Sequence, residues 1–289
     1  MITAASDPVL IKKDRITVHW RKVVLFCALT YALTWLWWIF RFLPHLQPNG
    51  SINRSAIGPL DVQVGMFGPL LAAVILRLID KDGFRGSLGL KRPWKVYALA
   101  YLIPTMLGII AISFNHLVGW SRFNWAGESL LELVPGQILI TLLASLTALG
   151  EEYGWRGYLL PLLLPLGNTK ATLIVGLIWG GWHLPLLVTG LTYPGQPALL
   201  SIAVFLLSTV LISFLFTWFY RFSGGSVAIA ALVHGALNAL SELSSPQHIP
   251  TGSPLIVNPF GLTTGIVVFL AVMLMSILMK RERTEKSFT

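Results

Sequence analysis

The sequence predicts an all-α, polytopic membrane protein with about eight transmembrane helices, and three observations carry that expectation. Of 289 residues, 55% are apolar and 11% charged, against about 25% charged in soluble domains, and the mean hydropathy is +0.72. So few charges could not cover a water-facing surface of this size, which excludes an ordinary soluble enzyme, a disordered chain and a coiled coil. The apolar residues are gathered in runs close to the ~20 residues that cross a ~30 Å hydrocarbon core. Basic residues stand at the ends of those runs, crowded in some connections and scarce in others. The chain has 21 Lys and Arg against 12 Asp and Glu, a net +9, and a pI near 9.9. In a soluble protein this would suggest nucleic acid; here it reads as topology and contact with the anionic lipid bilayer, with no nucleic-acid partner.

Residues 1–22 form a polar, basic segment with Lys12, Lys13, Arg15, Arg21 and Lys22. It resembles the positive start of a signal peptide, but the apolar run that follows, Val23–Phe42, exceeds the about 7–15 residues of such a core and no small-residue cleavage site follows it. That run is therefore read as a retained helix. It holds Cys27, the only cysteine, so no intramolecular disulfide, redox pair or thiolate cluster can form. Pro44 and Pro48 break the chain before the second run, Leu60–Leu78, and Arg77, Lys81, Arg85, Lys91, Arg92 and Lys95 crowd the connection to the third, Val96–Leu117. The next connection has only Arg122 and leads to Leu130–Gly150 and then Ala171–Leu187. A connection with Pro194-Gly195 and no basic residue precedes Leu199–Tyr220. The Gly224-Gly225 turn then opens Ser226–Leu240, and Leu262–Met279 closes the series. Lys280, Arg281, Arg283 and Lys286 flank its end. The alternation places both termini in the cytoplasm and requires an even number of spans. The expected organisation is a cytoplasmic segment over 1–22, one transmembrane domain over 23–280 and a cytoplasmic tail over 281–289.

In such a chain the informative residues are the ionisable ones at membrane depth, each costing several kcal/mol unless paired or hydrated. Glu151, Glu152 and Arg156 lie at the expected cytoplasmic end of the fourth span. On a helix Glu152 and Arg156 can pair, while Glu151 points about 100° away and is free for another partner. Trp179 and His183 sit one turn apart in the fifth span, beside Gly176, Gly180 and Gly181, which permit close helix approach. His234 and Asn238 share one face of the seventh, which Ala228, Ala231, Gly235 and Ala239 make thin. Each group alone has a bland reading as an interfacial charge pair, a packed histidine or interhelical hydrogen-bond glue. Counting ~1.5 Å per residue brings the two histidines level and leaves Glu151 about 10 Å shallower, a gap that helix tilt could close.

A carboxylate, two imidazoles and a carboxamide facing one cavity suit hydrolysis of a carbonyl compound: a base for water, a group to hold it, and donors for an oxyanion. Glu151, His183 and His234 could alternatively ligate zinc with an open position for water. No Ser or Cys stands in a recognisable nucleophile motif and His-Glu-x-x-His is absent, so direct water attack is favoured over an acyl-enzyme. A proton- or ion-coupled transporter is the rival class, and a non-catalytic peptide binder is a third.

The ordered trio Glu151-Glu152-x-x-x-Arg156, Trp179-x-x-x-His183 and His234-x-x-x-Asn238, with Gly157-Tyr158-Leu159-Leu160 after the first and Trp182-His183-Leu184-Pro185 in the second, resembles the CPBP family of intramembrane proteases. That family includes type II CAAX prenyl endopeptidases and bacterial proteins associated with bacteriocin self-immunity. The matching, protease-like core covers about 130–241; the commonest second motif begins with Phe where this chain has Trp179. The resemblance implies that Glu151 activates the hydrolytic water and His183 orients it. It implies too that His234 and Asn238 stabilise the oxyanion while Glu152, Arg156 and Trp179 support the site. The family is often labelled metalloprotease, yet placing His234 with Asn238 as oxyanion donors favours a metal-free site. The implied partner is a membrane-anchored or lipidated peptide or protein.

Overall fold

A computed structural model describes residues 17–48, 50–84, 88–124, 127, 129–245 and 247–286; the expectations for most of the 1–22 segment and for Arg85 fall outside them. Among the described residues the protein is all-α, and the eight apolar runs all appear as helices. In chain order these are α1 (Trp20–Phe42), α2 (Pro59–Gln63), α3 (Gly68–Asp80), α4 (Trp94–Leu117), α5 (Leu130–Gly154), α6 (Leu160–Leu163), α7 (Asn168–Trp182), α8 (Leu184–Val188), α9 (Ala198–Phe222), α10 (Val227–Leu243), α11 (Pro254–Val257) and α12 (Leu262–Lys286). Six helical stretches are long and apolar enough to cross a bilayer: Trp20–His45, Pro59–Asp80, Trp94–Leu117, Leu131–Leu166, Ala198–Phe222 and Pro254–Leu278. The chain is an integral membrane protein.

The first helix shows how one sequence serves two apolar environments. Its buried residues Val23, Phe26, Thr30, Thr34, Trp38 and Phe42 recur at helical spacing and face the bundle, while Leu36, Phe40 and Leu43 are largely exposed. Exposed side chains of this kind suit lipid rather than water. Lys22 Nζ pairs with Asp80 at 2.8 Å, tying the start of α1 to the end of α3. At the other end of α1, Arg41 Nε pairs with Asp61 of α2 at 2.7 Å.

Three boundaries differ from the sequence expectation. The fourth run does not end at Gly150: α5 continues to Gly154, passes through a wider π-type turn at Trp155–Leu159 and carries on as α6. Its two carboxylates thus lie in the middle of the 36-residue stretch Leu131–Leu166 rather than at a helix end. The fifth run breaks at His183, because Pro185 has no N–H to continue the ladder. That break leaves α7 with 15 residues, and α10 separately has 17, so both fall short of the ~20 of a typical crossing. The last helix outruns its apolar stretch and extends to Lys286.

The two short helices are interior ones. α10 packs against α4, α5 and α9, and α7 against α9. Gly176 and Gly180 admit α9: a Cβ on Gly176 would lie 2.8 Å from Val210 Cα, and one on Gly180 2.8 Å from Leu206 Cδ2. A Cβ on Gly235 would run into the α5 backbone, 2.6 Å from Ser145 N and 2.8 Å from its Cα. Gly235→Ala is therefore expected to destabilise the fold by about 1–3 kcal/mol through overpacking. Gly136→Ala, in a helix position with nothing within 4 Å of the added carbon, should be neutral or better. Parallel unfolding of the two variants in mixed micelles checks this, and equal stability would contradict it.

Candidate active site

The residues that hold the site come from α5, the π-type turn, α7 and α10. Glu151, Glu152, Arg156 and His234 are at most 2% exposed, and His183 is 8% exposed. Glu152 Oε1 accepts hydrogen bonds from Arg156 Nη1 at 2.8 Å and from His234 Nδ1 at 2.9 Å. A guanidinium and an imidazole are thereby fixed on one carboxylate oxygen. The other oxygen, Oε2, is buried without a partner among the described residues, as is Arg156 Nε. Arg156 also donates from Nη2 to Ser213 Oγ at 3.1 Å, and its guanidinium lies 4.8 Å from the Phe216 ring centre and 5.2 Å from that of Trp179. Enclosed between two aromatic faces, this cation is held by ring quadrupoles as well as by its carboxylate.

Glu151 points the other way round the helix. Its Oε2 accepts from Trp179 Nε1 at 2.7 Å, and Oε1 makes no hydrogen bond among the described residues. The Trp179 ring lies 5.4 Å from the His234 ring and 5.8 Å from that of His183. One indole therefore touches members of all three sequence motifs. The depth gap expected between Glu151 and the histidines is closed, because the carboxylates stand in mid-helix and not at its end. A phenylalanine at position 179 would keep the ring contacts but lose the bond to Glu151.

His183 occupies the break between α7 and α8. Its backbone N–H bonds to Gly180 O at 3.1 Å, which leaves Trp179 O free of its usual helical donor, and His183 Nδ1 lies 2.9 Å from that oxygen. A carbonyl can only accept, so Nδ1 carries the proton and Nε2 presents a lone pair. The imidazole packs against Trp182 at 4.6 Å and Phe205 at 4.8 Å. Asn238 is half-buried one turn beyond His234 and makes no hydrogen bond among the described residues, so its amide donors are uncommitted. Among those residues no group of three His, Cys, Asp or Glu side chains is placed to hold a metal ion.

Several contributors went unread in the sequence. Ser213 belongs to a buried stripe, Ser201, Ser208, Thr209, Ser213 and Thr217, on an otherwise apolar α9; small hydroxyls at helical spacing inside a membrane run were the available signal. Phe260, whose ring lies 5.9 Å from Trp179 and 6.2 Å from His234, gave none. It reaches the site from the connection after α11, where Tyr193 Oη donates to its carbonyl at 2.6 Å.

Comparison with known proteins bears on this geometry. Residues 134–240 match the family described as Type II CAAX prenyl endopeptidase Rce1-like, a stretch that contains every site residue from Glu151 to Asn238. The CAAX prenyl protease 2 of Methanococcus maripaludis is 25% identical over 235 residues, which cover 76% of this chain and 83% of that protein. The resemblance seen in the three motifs thus holds over the part of the chain that builds the site.

Proposed function

We propose that this chain is a membrane-embedded endopeptidase of the type II CAAX prenyl endopeptidase kind, hydrolysing a peptide bond of a lipidated or membrane-anchored protein. The observation that carries the proposal is the meeting of Glu151, Trp179, His183 and His234 around one indole, within the stretch that matches the protease family. Glu151 Oε1 takes a proton from water while the water oxygen bonds to the substrate carbonyl carbon. His183 accepts the second water hydrogen at Nε2, since Nδ1 is committed to Trp179 O. Asn238 Nδ2 and His234 Nε2 donate to the oxyanion, and Glu151 returns its proton to the leaving amine.

His234 can donate from Nε2 only with both ring nitrogens protonated, because Nδ1 already donates to Glu152. In that form Arg156 and His234 balance Glu151 and Glu152, and the buried cluster is neutral, the cheapest state in a low-dielectric interior. A proton relay, the rival reading, calls for ionisable groups strung along a path; here the buried Glu151, Glu152 and Arg156 form one cluster. A groove of about 550 Å³ is lined by Trp35, Ile39, Phe42, Val188 and the two residues that follow His183 in the chain, Leu184 and Pro185, and it suits the apolar anchor of such a substrate.

Purified protein in liposomes is expected to cut a peptide ending in a prenylated CAAX sequence within that sequence, and to cut the unprenylated peptide at least tenfold more slowly. Equal rates would remove the lipid from the substrate class, and no cleavage of either would remove the proposal. Both termini are assigned to the cytoplasm from the basic residues of the 77–95 connection and the 280–286 segment. A reporter fused after Met279 should therefore read out on the cytoplasmic side, and a periplasmic or external signal contradicts the assignment.

A further inference from the structure

The catalytic motifs lie on α5, α7 and α10, yet the turn that aims His183 is held from α1. Pro185 removes one ladder bond from the end of α7, and Leu186 N bonds to His183 O at 2.9 Å rather than to Trp182 O, its regular helical acceptor. Trp182 O is thus left without its ladder donor inside the membrane, where an unmet carbonyl is costly. Trp35 Nε1 donates to it at 2.8 Å. One turn earlier on α1, Tyr31 Oη donates to Ile178 O at 2.6 Å, and the two α1 rings lie 5.0 Å apart. Both carbonyls flank Trp179 O, the acceptor that fixes the His183 tautomer. The side chains of α1 therefore fasten the turn on either side of the bond that orients the imidazole.

We infer that Trp35 and Tyr31 are positioning residues for His183: they hold the break after α7 in the geometry that keeps the proton on Nδ1 and leaves Nε2 free for water. Neither residue lies within the stretch 134–240 that matches the protease family. Their effect on hydrolysis rests on the proteolytic reading above, whereas their effect on the imidazole does not.

The same helix supplies its own control. Trp37 Nε1 donates to a backbone carbonyl too, Asp61 O at 2.9 Å, but outside the site. Trp35→Phe and Trp37→Phe each delete one indole donor and keep a ring. Nitrogen-15 NMR of histidine-labelled protein, with the His183 signal assigned from its loss in His183→Gln, is expected to show Nδ1 protonation in the wild type. That population should fall in Trp35→Phe and stay unchanged in Trp37→Phe. On a cleavable peptide, Trp35→Phe should lower kcat about tenfold, the scale of a small misplacement of a reacting group, and Trp37→Phe should stay within about twofold. An unchanged His183 signal in Trp35→Phe, or equal changes in the two variants, would overturn the inference. Should the wild type cut no peptide, the proteolytic reading fails and the NMR comparison still decides this one.

Discussion

Glu151→Gln is expected to lower kcat/KM for peptide cleavage by about 10²–10⁴-fold, the usual contribution of a positioned general base, while leaving the fold intact. The amide is nearly isosteric, and its oxygen can still accept from Trp179 Nε1, the bond that Glu151 makes at 2.7 Å. What disappears is the basic oxygen that removes the proton from water. Initial rates on a prenylated peptide, alongside unfolding of both proteins in mixed micelles, separate the two effects. Wild-type activity in the variant assigns the base elsewhere, and a large loss of stability would mean that the carboxylate serves the fold.

Arg156→Ala carries the largest expected effect on stability, a loss of about 3–5 kcal/mol, as found when one partner of a buried ion pair is removed. Arg156 and Glu152 are both fully buried, and truncation leaves the Glu152 carboxylate with His234 alone while emptying the space between Trp179 and Phe216. Replacing the pair together, Glu152→Gln with Arg156→Met, is expected to recover most of that stability, because no uncompensated charge remains and the volume is kept. The double variant should stay poorly active, since it removes the carboxylate that holds His234. Unfolding in mixed micelles gives the stabilities, and a single variant as stable as the wild type would show the pair to be dispensable.

The helices were legible because an apolar run of membrane length has few other meanings, and the candidate site was legible because charge is so scarce that each buried Glu, Arg or His stands out. The i,i+4 spacing of Glu152 and Arg156 was enough to suggest their pair. What the sequence did not carry were properties that depend on where an apolar helix stops. Gly150 marks no boundary, since α5 runs on to Gly154 and continues through a π-type turn into α6, and this moved Glu151 from a helix end to mid-membrane. Pro185 was visible, but its consequence, a carbonyl released to Trp35 some 147 positions away, needs the packing of α1. Phe260 likewise reaches the site through a tertiary contact, and an isolated aromatic in a connection has no pattern that would reveal it.

The central claim is that water held by Glu151 attacks the scissile carbonyl directly. It is tested most directly by cleaving a prenylated peptide in H₂¹⁸O and following the label by mass spectrometry in the products and in the protein fragment that contains Glu151. Direct attack predicts one ¹⁸O in the new carboxyl group of the product and none in Glu151 after many turnovers. Label accumulating in Glu151, the mark of a carboxylate that forms an anhydride with the substrate, or the absence of a labelled product, would contradict the account.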